Sequence, residues 1–132
     1  MLWEIDDKKI FSTWGTLIWQ EVKLNLLSQD LLAFPRLVYS DSFRADYNHI
    51  KDAKERLKLQ ETLAKVAVVL ERSGGNPAPL KADGGVQYDK YVNQNRIDHF
   101  RVTQGLRVSC ESRTGQLVLR RYGKEPDVNN NP

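Results

Sequence analysis

Apolar residues recur along this chain with two different periods, and the change from one to the other organises it. Over residues 8–27 (KKIFSTWGTLIWQEVKLNLL) Ile10, Trp14, Leu17, Ile18 and Val22 fall at helical spacing, which predicts an amphipathic helix. Gly15 weakens that helix, and Trp19 and Leu24 lie off the main stripe, as a second apolar face would require. A further apolar piece, DLLAF at 30–34, ends at Pro35, a residue that discourages helix continuation. Residues 1–35 therefore read as an N-terminal helical extension, apolar enough to pack on the rest of the chain or to mediate self-association as a homodimer. From residue 36 the texture changes. RLVYS at 36–40 predicts a short strand, and Asp41 or Ser42 is placed to cap a short helix whose buried face is Phe43, Tyr47 and Ile50. A longer helix is predicted over 51–72, where Leu59, Leu63, Val66, Ala67 and Leu70 form a continuous stripe. SGGNPAP at 73–79 stops it, with glycine at the C-cap and prolines beyond.

The period then becomes two. A strand is expected around 86–92, and three more follow at 98–103, 106–111 and 116–122, joined by the short turns TQG and RTG. Phe100 and Val102 alternate with His99 and Arg101; Leu106, Val108 and Cys110 alternate with Arg107, Ser109 and Glu111. Two tight hairpins make an antiparallel meander whose alternate residues lie on opposite faces. The order β-α-α-β-β-β predicts an α+β domain over 36–132, helices layered on one sheet. The tail DVNNNP is expected to fray.

With 132 residues, 40% of them hydrophobic and 28% charged, the chain fits one domain with a substantial core rather than a disordered segment. Its single cysteine excludes an intramolecular disulfide, and no cluster of metal-ligating residues accompanies it. No signal-peptide pattern and no stretch of membrane-spanning length is present, so a cytoplasmic setting without membrane contact is expected. The net charge of +3 matters less than its placement. Arg96, Arg101, Arg107, Arg113, Arg120, Arg121 and Lys124 face only Asp98 and Glu111 across 96–124, whereas acidic residues outnumber basic ones in the first 35. Such asymmetry suggests a polyanion-facing end. The plainer alternative for Arg107 is a salt bridge to Glu111 or to a helix carboxylate. Cys110 shares the apolar parity of Leu106 and Val108 and reads as a buried small hydrophobe.

The order of elements, with NPAPLK at 76–81, HFRVTQGLRVSCE at 99–111 and GQLVLRRYGKEPDV at 115–128, resembles the RelE/ParE toxin superfamily over about 36–128. The resemblance implies two helices packed on a bent antiparallel β-sheet. In the RNA-cleaving members it further implies a metal-independent, cofactor-free endoribonuclease. Such a toxin cuts mRNA on the ribosome through the RNA's own 2′-hydroxyl and is held in check by a protein antitoxin. On that resemblance Arg107 matches the arginine at the scissile phosphate, Arg101 a basic position on the preceding strand, and Lys124 a His or Lys position. Arginine suits the phosphate because it is permanently charged and bidentate. His99, on the same face as Arg101, is a candidate base or acid. Arg96, Arg120, Arg121 and Tyr122 are candidates for further RNA contacts; of the adjacent arginines, Arg120 shares the parity of Tyr122. Glu125 departs from the arginine common in active members, and the tyrosine often found a few residues later is absent. The gyrase-inhibiting ParE branch shares the fold without the nuclease constellation, so a non-catalytic binding or regulatory protein is the alternative that this scaffold leaves open.

Overall fold

The computed structural model describes residues 31–82, 85–92 and 94–132. The helix expected over 8–27, and the dimer contact assigned to it, lie outside the described residues. The chain is α+β. In order, the elements are β1 (Leu37–Tyr39), α1 (Asp41–Asn48), α2 (Ala53–Ser73), α3 (Pro79–Ala82), β2 (Tyr88–Lys90), β3 (Asp98–Thr103), β4 (Leu106–Arg113), β5 (Gln116–Lys124) and α4 (Glu125–Asn130). The strands form one sheet in the order β1-β5-β4-β3-β2. The sheet is mixed rather than wholly antiparallel. Three residues of β1 lie parallel to β5, Leu37 opposite Leu117 through Tyr39 opposite Leu119, while every other pairing is antiparallel. Among the described residues no helix is long and apolar enough to cross a membrane.

One sheet face carries the core. Phe100, Val108, Cys110, Leu117, Leu119 and Tyr122 meet the stripe Leu59, Leu63, Val66, Ala67 and Leu70 of α2, together with Phe43 and Tyr47 of α1. Residues 31–34 are not helical, and Phe34 is buried in the same core. The Leu32 N–H donates to Gln60 Oε1 at 3.1 Å, and the Gln60 amide donates to the Tyr47 hydroxyl at 3.2 Å, so this buried amide is satisfied on both ends. Under β2 lies a small polar group within the core: the Tyr88 hydroxyl donates to Asp98 Oδ2, and Cys110 Sγ sits 3.9 Å from the same hydroxyl. Burial pushes both the Cys110 thiol and the Tyr88 phenol up, holding them protonated.

α2 ends as its sequence dictates. Gly74 adopts φ 67°, and the Gly75 N–H closes on Leu70 O at 2.8 Å. Gly75 itself sits at φ 94°, and a Cβ there would stand 2.5 Å from the Gly115 carbonyl, so the α2 exit and the β4–β5 turn touch backbone to backbone.

Two bulges shape the sheet. Arg101 opposes Arg107 while Thr103 opposes Leu106, which leaves Val102 as an extra residue on β3. On β5, Arg121 opposes Ser109 while Leu119 opposes Cys110, so Arg120 is the extra residue. The second bulge moves the core parity from Leu117 and Leu119 to Tyr122. Because β1 is so short, among the described residues β5 has no strand on its outer side beyond residue 119. Helix α1 replaces it. The Ser40 N–H donates to Leu119 O at 3.0 Å, and Ser40 Oγ, which caps α1 by accepting from the Phe43 N–H, donates to Arg120 O at 2.9 Å. The Asp46 carboxylate accepts the Tyr122 N–H at 2.9 Å and both Nε and Nη2 of Arg121, at 2.8 and 3.2 Å.

The Asp46 contact gives the first prediction. Asp46→Ala leaves a partly buried backbone N–H without its acceptor as well as breaking an ion pair, so it should lower unfolding free energy by about 1–2 kcal/mol. Arg121→Ala, which leaves the Tyr122 N–H satisfied, should cost distinctly less. Urea-denaturation midpoints of the two variants would check the order.

Candidate nucleic-acid interface

The second sheet face holds the candidate chemistry. Strand alternation places His99 and Arg101 of β3, and Arg107 and Ser109 of β4, on the side away from α1 and α2. His99 lies opposite Ser109, and Arg101 opposite Arg107. This face is covered by α4, the segment expected to fray. The Glu125 N–H donates to Gly105 O in the β3–β4 turn at 3.0 Å, which sets the helix across the strand ends. Val128 is buried, with its Cγ2 3.7 Å from where a Gly123 Cβ would stand. Gly123 is the register partner of Arg107, and Val128 brings α4 over this part of the sheet.

That guanidinium is almost wholly enclosed; its side chain is 8% exposed. Nη2 donates to Glu125 Oε1 at 2.8 Å and Nη1 to Asn129 Oδ1 at 2.7 Å. Arg101 Nη2 approaches the same Glu125 oxygen at 3.8 Å. Of the two plainer alternatives for Arg107, Glu111 instead binds Arg113 at 2.7 Å, and the pairing is with a helix carboxylate, Glu125 at the start of α4. Tyr91, directly after β2, completes the group. Its hydroxyl donates to Asn129 Oδ1 at 2.8 Å, its ring lies 5.9 Å from Arg107 Cζ, and the His99 ring packs on it with centroids 4.4 Å apart. Burial, and secondly the Arg107 charge, push the His99 pKa below its ordinary 6.5, so the imidazole is neutral at neutral pH. Burial raises the Tyr91 pKa. Among the described residues, Arg107 Nε, Ser109 Oγ and His99 Nδ1 are buried polar atoms without a hydrogen-bond partner.

The other candidates stand elsewhere. Lys124 is exposed, opposes Leu106, and occupies the N-cap position of α4 with no side-chain capping bond. By alternation it belongs to the face away from Arg107. Two of the three proposed cations therefore converge, and the third does not. Tyr122 points into the core and donates to Glu55 Oε2 at 2.8 Å, which removes it from any exposed RNA-contacting surface. The shared parity of Arg120 and Tyr122 fails because the bulge falls at Arg120, whose Nη2 instead donates to Pro132 O at 3.3 Å. Arg121 is committed to Asp46. Arg96, at φ 68°, lies beyond the opposite end of β3 with Arg113 and the Gly74–Gly75 turn. Six residue steps along β4 separate Arg113 at that end from Arg107, roughly 20 Å. Tyr91, Glu125 and Asn129 were not among the sequence candidates. The signal for Tyr91 was its parity with Asp89, which opposes His99.

No protein-family model matches the chain, and no curated protein matches it. Among solved structures, the crystal structure of a RelB-RelE antitoxin-toxin complex from Methanococcus jannaschii is similar to it over 70% of this chain and 95% of that one, at 14% identity and a TM-score of 0.47. The fold described above rests on its own register and packing rather than on this likeness.

The lowered His99 pKa predicts a pH dependence. A proton binds the unfolded chain more readily than the folded one, so the stability tied to neutral His99 is fully present above pH 6.5 and is lost as pH falls through 6.5 toward the folded value. His99→Gln should flatten the stability curve in that window. Comparing urea midpoints of wild type and variant between mildly acidic and neutral pH checks this.

Proposed function

We propose that this chain is a toxin-type endoribonuclease domain that binds mRNA on the ribosome and cuts it through the RNA's own 2′-hydroxyl. One observation carries the reading: guanidinium groups from adjacent strands, Arg101 and Arg107, come within 3.8 and 2.8 Å of a single anionic oxygen. Two fixed cations reaching one point suit the non-bridging oxygens of a phosphate whose charge grows in the transition state. Neutral His99, on the same face, is the group able to accept the 2′-proton. The 2′-oxygen attacks phosphorus as the bond to the 5′-oxygen breaks, leaving a 2′,3′-cyclic phosphate and a 5′-hydroxyl protonated from solvent. Lys124, on the far side of the strand, would then meet RNA away from the scissile group. The sequence resemblance supplies the toxin assignment, and with it a cytoplasmic protein antitoxin that covers this face.

A second reading is favoured by one specific contact. Glu125 and Asn129 already take both terminal nitrogens of Arg107, as they would in a binding protein that kept the scaffold without the chemistry, gyrase-directed or regulatory. A cell-free translation reaction with mRNA ends mapped by primer extension separates the two. The nuclease reading expects cuts at ribosome-occupied codons, reduced about a hundredfold or more in Arg107→Ala. Intact mRNA with wild-type protein would leave the binding-protein reading.

A further inference from the structure

We infer that α4 is a built-in latch on the arginine pair: Glu125 stands where a nucleic-acid phosphate would bind, and the helix must lift for RNA to enter. The inference rests on the phosphate-site reading above and adds how access to that site is governed.

Three observations lead there. First, Glu125 presents a carboxylate oxygen to both arginines, at 2.8 and 3.8 Å. Carboxylate and phosphate offer arginine the same paired acceptor geometry, so one excludes the other. Secondly, donors on this sheet face go unused when α4 is closed. Arg107 Nε and Ser109 Oγ belong to residues 6% and 0% exposed, and neither atom has a partner among the described residues. Buried polar groups are normally paired, and here a third guanidinium donor and a hydroxyl lie idle on the same face as Arg101. A phosphate with several acceptor oxygens would employ what a single carboxylate does not.

Thirdly, α4 is poorly built to stay helical by itself. Its six residues, EPDVNN, include Asp, Val and two Asn, all weak helix formers, and its N-cap Lys124 makes no capping bond. An isolated helix this short is unstable in water. Its persistence therefore depends on Val128, on the Glu125 and Asn129 contacts with Arg107, and on the Tyr91 hydroxyl. Of these, the Glu125 and Asn129 contacts with Arg107 are the ones that a phosphate would replace, leaving Val128, the Tyr91 hydroxyl and the Glu125 N–H bond to Gly105 O. The latch is thus held in part by the group it conceals, and RNA and the closed helix compete for the same guanidinium.

The test uses the full chain and a short fluorescein-labelled 2′-O-methyl oligoribonucleotide, which cannot be cut through its 2′-oxygen, with affinity read by anisotropy. Glu125→Gln should bind about tenfold more tightly than wild type, the factor corresponding to one charge-assisted hydrogen bond lost from the closed state. Asn129→Ala should shift affinity in the same direction by less. Asp127→Asn removes the same charge from the same helix without touching either arginine, and should match wild type to within the general electrostatic increment. Arg107→Ala should abolish binding in the wild-type and Glu125→Gln backgrounds alike. In hydrogen exchange, the amides of α4 should lose protection when the oligonucleotide is added. Equal affinities for wild type, Glu125→Gln and Asp127→Asn that still require Arg107 would overturn the latch and leave the phosphate site standing. So would α4 amides that keep their protection in the complex. Binding by no variant, Glu125→Gln included, would overturn both.

Discussion

Everything in this domain is arranged around strand β5 and the need to satisfy its outer edge. β1 covers that edge for only three residues, and a buried strand cannot leave its remaining backbone groups unpaired. Ser40 and Asp46 meet the requirement from α1. With Asp46 holding the Tyr122 N–H, the strand passes its bulge and returns Tyr122 to the core. Gly123 then falls beside Arg107, and the chain turns into α4 across the other face. The packing of the helices and the geometry of the arginine pair are therefore both consequences of how one unpaired edge is closed.

Much of this architecture was legible in the chain because burial on one face imposes period two. Strand β3 matches the expected 98–103 in full, and α2 buries every residue of its predicted stripe. The bulges were not legible. Each inserts one residue into a strand, and beyond it alternation assigns the wrong face, as it did for Arg120. Nor could three residues of β1 announce a parallel partner some eighty positions away. Helix α4 was invisible for the reason that makes it marginal: its residues favour neither helix nor strand, and the contacts that fold it come from Tyr91, just after β2, and from β4.

The site shows the same division. His99, Arg101 and Arg107 could be placed together because they sit on paired strands with simple alternation. Their partners could not, since Tyr91, Glu125 and Asn129 arrive from a strand end and from beyond the last strand. A basic surface in the sequence thus becomes an internally neutralised one in the fold. A guanidinium buried to this degree is costly without a counter-charge, and the nearest carboxylate in the folded chain supplied it. Charge counted along a sequence overstates the free cationic surface wherever the fold brings an acid back onto it.

The location of Cys110 has a practical consequence. This lone thiol lies on the core face of the middle strand, fully buried, beneath Tyr88 and Asp98. Helix α4 lies on the opposite face. A thiol-reactive dye therefore reaches Cys110 only when the core between the helices and the sheet opens, and movement of α4 leaves it shielded. The rate of labelling is a clock for core opening, and it distinguishes a molecule whose surface helix has lifted from one that has begun to unfold.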